Sequence, residues 1–217
     1  MPSPPENVRL YRPAECAVFR KTDERFGGLS NMAGGYPLSV NGIRILTSEA
    51  LYQACRFPHK PDVQRAIIAE RSPMTAKMKS KPHRKDSRED WDIIRVPVMK
   101  WCLRIKLAQN WDKFSALLDS TGDMPIVEHS RKDPYWGAKM TDDGVLEGEN
   151  VLGRLLMELR AKMRAGRDQF EIIHPIPVRD FLLLGSEIRE VFAEYCGAQK
   201  ESERLHADLF SNPRAPF

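Results

Sequence analysis

The stretch Asp92–Asn110, DIIRVPVMKWCLRIKLAQN, constrains this chain more than any other. Met99, Cys102 and Leu103 share one side at helical spacing, and Val98, Trp101, Ile105 and Ala108 share the neighbouring side. A helix apolar over most of its circumference belongs inside a domain, so other elements must be laid around it. Lys106 breaks the pattern. It falls at i+7 from Met99 and i+4 from Cys102, and so points with the buried stripe. Two readings stand: a buried stem whose ammonium reaches water, or a partly desolvated amine of lowered pKa, the state a nucleophilic lysine requires. Pro97 is expected to start the buried helix proper.

Residues 1–15 are proline-rich and polar and read as an extended arm, followed by a short strand at Ala17–Lys21. Phe26–Gly35, FGGLSNMAGG, is a loop needing unusual backbone angles. Leu29 and Met32 would anchor it to the core, leaving Ser30 and Asn31 to face a cleft. Asn41-Gly42 between Pro37–Val40 and Ile43–Leu46 predicts a type I′ hairpin. Thr47 or Ser48 caps the next helix, on which Glu49, Tyr52, Gln53 and Arg56 share one side. That side is either solvated or a working face. Helices follow at Pro61–Ile68 and from Ser72-Pro73. Lys77–Arg95 is then a basic stretch with Trp91 inside, suited to phosphate or bases or to a solvated loop.

Trp111–Ser120 is amphipathic, and Ile126–Glu128 reads as a strand feeding a loop with Asp133, Tyr135, Trp136 and Gly137. A Trp-Gly beside an acid is a ligand-stacking platform or a cover for the core edge. Asn150 caps a helix striped with Leu152, Leu155, Leu156, Leu159 and Met163. Gly153 sits in its first turn, where glycine costs about 1 kcal/mol relative to alanine, so a close approach of backbone or ligand is expected there. A further helix is predicted at Val178–Cys196. The resulting expectation is an α+β fold: a compact, predominantly helical single domain with a small β-hairpin or sheet. It has an arm over 1–16, a domain over 17–165 and a helical extension over 166–217.

Composition narrows the function. The 217 residues are 41% hydrophobic and 29% charged, a globular balance rather than a disordered one. No apolar run approaches a membrane span and no secretory leader is evident, which gives a cytoplasmic expectation with no membrane partner. The net charge of +4 is compatible with an anionic ligand. The four cysteines form no C-x-x-C pair and read as reduced packing residues, and the five histidines show no metal-ligand spacing. No Walker loop or dinucleotide fingerprint occurs. No metal or cofactor is therefore expected.

The motifs LSNM (29–32), TSEALYQA (47–54), SPMTAK (72–77), DW (90–91), VM followed by Lys106, LLDSTGD (117–123), IVEHS (126–130), DPYWG (133–137) and NVLGRLLMELR (150–160) occur in that order. Over about Phe19 to Arg164 the chain thereby resembles the NADAR (YbiA-like) family of N-glycosidases. The resemblance implies a mainly helical α+β domain that hydrolyses the bond between a ribose C1 and a base or amine nitrogen. It carries two substrate classes. One is ADP-ribose on guanine in nucleic acid, removed as the repair or antitoxin partner of an ADP-ribosyltransferase toxin. The other is the early riboflavin-pathway ribosylaminopyrimidine phosphates. A third reading is a module that binds ADP-ribose, free or in a small molecule, without cleaving it. The first is preferred, because of the basic stretch and the mass beyond residue 165.

The resemblance also assigns roles. Glu49 maps to the family's acid, Lys106 to its helical lysine, and Asp133, Tyr135, Trp136 and Gly137 to its W-G loop. Arg56 stands where the family often has lysine, and arginine cannot form an imine. Breaking an N-glycosidic bond needs an acid for the leaving nitrogen, stabilisation at C1 and a route for water. Glu49, Lys106 and Asp133 are the catalytic candidates, with Asp133 as the like charge that would raise Glu49. Trp91 and Trp136 would stack the base. Asn31, Asn150 and Arg154 would hold ribose hydroxyls and phosphate, and Ser30, Tyr52, Gln53, Arg56, Tyr135 and Gly137 complete the binding set.

Overall fold

The computed structural model describes residues 7–193. In chain order the strands and helices begin with β1 (Arg9–Tyr11), β2 (Ala17–Phe19), β3 (Leu38–Val40) and β4 (Ile43–Ile45), then α1 (Ser48–Ala54), α2 (Pro61–Ile68), α3 (Pro73–Ser80) and α4 (Trp91–Gln109). After these come α5 (Trp111–Asp119), β5 (Ile126–Glu128), β6 (Lys139–Met140), β7 (Leu146–Gly148) and α6 (Val151–Ala165). The chain continues through β8 (Ile172–Ile173), β9 (Leu182–Leu183), β10 (Ser186–Glu187) and β11 (Val191–Phe192).

Helix α4 is the hub, packed against α1, α5, α6, β3 and β8. Every residue from Trp101 to Gln109 except Arg104 is buried, as an all-round apolar pattern requires. The helix begins at Trp91 rather than at Pro97. Pro97 lies inside it, and it and Ile93, the residue whose carbonyl loses its partner, are both solvent-exposed, so water can take the freed group. Around the hub the helices make a mixed α/β domain with, among the described residues, one three-stranded and four two-stranded sheets. The β3–β4 hairpin forms with Asn41 and Gly42 at φ 52° and 76°, the left-handed angles of a type I′ turn. Among the described residues no helix is long and apolar enough to cross a membrane.

The two flanks differ from expectation. Residues 9–11 of the arm form an outer strand, paired antiparallel with β7. The helix expected over Val178–Cys196 does not form over 178–193, and residues 194–196 lie outside the described residues. Leu184 and Gly185, at φ 52° and 84°, turn the chain into the short β9–β10 hairpin instead. From residue 171 to 193 the described chain runs in strands and turns.

Strand β5 sits between β2, with which it pairs in parallel, and helix α6. A Cβ on Gly153 would lie 2.1 Å from the Ile126 carbonyl oxygen and 2.5 Å from the Asn150 amide. The close approach is therefore to backbone. Asn150, at φ 49°, makes no side-chain bond to its own helix. Its amide donates to Ile126 O at 2.8 Å and accepts from Glu128 N at 3.1 Å. It is fully buried and serves as a clasp on the strand, not as a ribose ligand.

Lys106 is fully buried too. It shares the Met99 side of α4 but lies about 10 Å further along the axis, seven residues at 1.5 Å each. There the Gly27–Leu29 turn covers it. Its Nζ donates to Gly28 O at 2.7 Å and Ser30 O at 3.0 Å and lies 4.5 Å and 4.4 Å from the Tyr36 and Phe114 ring centres. Desolvation, aided by the Lys113 charge, pulls its pKa down to about 7. The carbonyls and ring faces favour the ammonium. Neither snorkelling nor a cleft-facing amine describes it: the side chain is a tie holding the 27–30 turn to the hub.

Gly153→Ala should destabilise the protein by roughly 1–3 kcal/mol, the usual cost of overpacking, despite alanine's better helix propensity. A urea midpoint equal to or above wild type would show that the α6–β5 contact is not tight. Lys106→Met tests the buried amine through pH. With a folded pKa near 7 and an ordinary value of 10.5, the unfolded chain holds more protons between those values. Wild-type stability from this group therefore rises as pH climbs from 7 towards 10, by at most about 1.4 kcal/mol per pH unit. The stability of wild type minus that of Lys106→Met should therefore increase over that window, and a difference that is flat or falls contradicts the burial.

Candidate functional site

A cleft of about 440 Å³ opens where α1, α3, the start of α4, the end of β5 and the 133–136 turn converge. Thr47 starts α1 as expected, its hydroxyl accepting from Ala50 N at 3.2 Å. This presents Glu49, Tyr52 and Gln53 to the cleft, with Arg56 just past the helix end. Ser72 caps α3, which brings in Lys77. The first turns of α4 bring Trp91, Arg95 and Met99 at four-residue steps along one side.

Glu49 is 5% exposed. Its Oε1 accepts from Gln53 Nε2 at 2.9 Å and its Oε2 from Asn31 Nδ2 at 3.0 Å, while Lys77 Nζ stands 4.0 Å from Oε1. Asn31 is itself fixed, since its carbonyl accepts from Glu49 N and from the Ser48 hydroxyl. Because Nδ2 must serve the carboxylate, Asn31 Oδ1 points elsewhere. It is a buried acceptor without a partner beside the cleft, ready for a ligand hydroxyl or amino group.

Glu128 is the second acid. It keeps part of its surface open, yet protein surrounds it on most sides, and desolvation pushes its carboxyl up to about 7. The negative charges of Glu49 and Asp133 add to the rise and Lys77 opposes it. The same two causes, burial first and Glu49 second, push the Tyr52 phenol up, which keeps it a proton-bearing donor. Asp133 is exposed. Its Oδ1 accepts from the Tyr135 and Trp136 amides, both at 3.0 Å, shaping the turn that carries those rings.

The other end of the cleft is cationic and aromatic. Tyr52 lies 5.1 Å from Trp91 and 5.8 Å from Trp136, and Trp136 lies 5.3 Å from Tyr135, centre to centre. Arg56 sits over Trp91 at 5.2 Å and Arg95 over Tyr135 at 4.0 Å. Arg84 lines the same cleft. Burial and the neighbouring Arg84 charge lower the Arg56 pKa, and Arg95 Nε is buried without a partner. Crowded guanidiniums with open donors favour an anion such as phosphate.

Of the residues singled out from the sequence, Asn31, Glu49, Tyr52, Gln53, Arg56, Trp91, Asp133, Tyr135 and Trp136 meet in this cleft. Ser30, Lys106, Gly137, Asn150 and Arg154 are not among its lining residues. Ser30 spends its hydroxyl on Met32 N and its carbonyl on Lys106. Gly137 is where the turn crosses β5, since a Cβ there would meet Glu128 O at 2.4 Å. Of the other charged lining residues, Lys77, Arg84 and Arg95 belong to the basic stretch Lys77–Arg95 but are not singled out by it, and Glu128 is not anticipated. Lys77 and Glu128 lie in motifs already noted, SPMTAK and IVEHS, and Arg95 is one turn from Trp91. Among the described residues no group of three or more His, Cys, Asp or Glu converges as a metal site.

Comparison with known proteins adds lineage to this geometry. A sequence model of the NADAR domain matches residues 18–164. The N-glycosidase YbiA of Escherichia coli K12 is 35% identical over 148 residues, spanning 67% of this chain and 86% of that protein. The riboflavin biosynthesis protein VVA0006 of Vibrio vulnificus is 36% identical over 160 residues, 73% of this chain but 41% of its own length. The riboflavin biosynthesis protein PYRR of Zea mays is 30% identical over 161 residues, 67% of this chain and 25% of its own. The solution structure of E. coli YbiA superposes with a TM-score of 0.59 at 31% identity, covering 71% of this chain and 91% of that one. The chain belongs to the NADAR family.

Proposed function

We propose that this protein hydrolyses an N-glycosidic bond at ribose C1, and that its substrate is ADP-ribose attached to guanine in nucleic acid. The observation that carries the reading is Glu128, a carboxyl held near neutrality in the same cleft as Glu49 and Lys77. Glu128 donates its proton to the departing base nitrogen as the C1–N bond breaks. Lys77 is the lysine of the cleft, and its amine attacks C1, passing a proton to Glu49. The ribose ring oxygen then leaves C1 and takes the proton back from Glu49, and water hydrolyses the imine to Lys77, which frees the aldehyde of ADP-ribose, restores the lysine and returns a proton to Glu128. The products are free guanine and free ADP-ribose. The aromatic wall supports stacking of the base, and Arg56, Arg84 and Arg95 support binding of the pyrophosphate. Such a reaction reverses the work of an ADP-ribosyltransferase.

Nucleic acid as the carrier is supported by Lys79, Lys81 and Lys85, exposed beside the lining residues Lys77 and Arg84. The second reading, hydrolysis of riboflavin-pathway ribosylaminopyrimidine phosphates, is favoured by the relatives named for riboflavin biosynthesis. It requires only the small phosphate end of the cleft.

On an oligonucleotide carrying ADP-ribosylated guanine, kcat/KM should fall as pH rises through about 7. Glu128→Gln should remove that limb and lower the rate about 10²–10⁴-fold. A limb that survives in Glu128→Gln assigns the proton to another group. Borohydride added during turnover should leave an adduct on the peptide bearing Lys77. An adduct elsewhere, or none while product accumulates, removes the covalent route. Changing Lys79, Lys81 and Lys85 together to Ser should weaken activity on modified DNA and reduce the salt slope by roughly 2–3. An unchanged slope with turnover of ribosylaminopyrimidine phosphates points to the second reading, and binding of ADP-ribose with no turnover of either substrate points to a reader.

A further inference from the structure

The family's domain ends at residue 164, but the described chain continues to 193 and returns to the cationic end of the cleft. Two buried polar side chains receive it. Gln64 on α2, fully buried, donates to Ala54 O at 3.0 Å and to Leu182 O at 2.9 Å, and accepts from Leu184 N at 2.6 Å. Arg88, 9% exposed, donates to the carbonyls of Arg179 and, at 3.3 Å, of Asp180. Its fork also clasps Asp90 through bonds of 2.6 Å and 3.1 Å. Phe181, between these ties, packs edge-on against Trp101 at 4.9 Å.

What the ties hold is Arg56. The Arg88 amide donates to Arg56 O at 3.0 Å. The next residue back, Ser87, accepts from Arg56 Nε at 2.6 Å and donates to Arg84 O. Gln64 fixes Ala54, two residues before Arg56. The returning segment therefore fastens the side chains of Gln64 and Arg88, whose other bonds hold Ala54 O and Arg56 O, and Arg88 adjoins Ser87, the hydroxyl that receives the Arg56 guanidinium. A lysine in place of Arg56 could not present a fork to be aimed. We infer that residues 179–184 are a positioning element of this enzyme: acting through Arg88 and Gln64, they orient Arg56 for pyrophosphate and so set affinity for the phosphate-bearing part of the substrate. The inference rests on the proposed reading of the cationic end.

Arg88→Met is the direct test, with inorganic pyrophosphate and free ADP-ribose as calorimetric probes and turnover of ADP-ribosylated oligonucleotide as the kinetic one. The expected result is about tenfold weaker binding of both probes and a KM raised in proportion, with kcat within twofold of wild type. Arg56→Met should lose at least as much, and the double variant should be no worse than Arg56→Met alone, because Arg88 acts through Arg56. Asp90→Asn, which changes a half-buried partner of the Arg88 fork, should give a smaller loss in the same direction and serves where Arg88→Met does not fold. Unchanged probe affinity in a folded Arg88→Met or in Asp90→Asn, losses that add, or a wild type that binds neither probe would overturn the inference. If pyrophosphate affinity depends on Arg88 but no glycosidic bond is cleaved, the proposed reaction fails and the positioning element stands.

Discussion

Strands of two or three residues leave much of an interior backbone without ladder partners, and a buried amide or carbonyl left unpaired costs about 1–3 kcal/mol. In this protein buried side chains do the pairing. Gln109 both accepts from Ser39 N and donates to Ser39 O, as a strand neighbour would. Asn150 does the same for β5, bonding Ile126 O and Glu128 N. Lys106 takes the carbonyls of Gly28 and Ser30, and Arg160 takes Met124 O together with the Thr121 hydroxyl. Each is a polar side chain sent from a helix, or from the residue before one, to the backbone of a strand or a loop. The fold is mixed in composition because the helices supply both the apolar mass and the hydrogen bonds that the small sheets cannot.

The site is built by the same ties. Asn31 reaches Glu49 because Lys106 pins the turn before it, and Glu128 stands at its place in the cleft because Asn150 holds its amide. The electrostatics then divide the cleft. Carboxyls crowd one end, so that burial and mutual repulsion keep one of them protonated near neutrality. Arginines crowd the other, Arg56 over the Trp91 ring and Arg95 over that of Tyr135.

Local features of the fold were legible in the sequence. The apolar stripes of α4 and α6, the caps Thr47 and Ser72 and the Asn41-Gly42 turn depend on neighbours within a few residues. The α1 face was legible for the same reason, since Glu49, Tyr52 and Gln53 are set by one helix. What could not be read was the destination of polar side chains that cross the interior. Asn150 has the composition of a cap and Lys106 that of a nucleophile, and both are spent on backbone far away in sequence. Glu128 gave no local sign of being special, because its raised pKa arises from two carboxylates and a wall brought by other elements. The strands near the end were missed because a Leu-Gly pair makes the β9–β10 turn where Asn-Gly is the usual signal.

The ties to the returning segment read main-chain atoms: the carbonyls of Arg179, Asp180 and Leu182 and the amide of Leu184. The path of that segment is constrained, while most of its side chains are not. Through descent its letters can change so long as Phe181, Leu183 and Leu184 stay apolar and positions 180 and 184 tolerate their left-handed angles. Two relatives could therefore share this brace and show no recognisable likeness along it, and its presence would be betrayed by a glutamine and an arginine elsewhere in the chain.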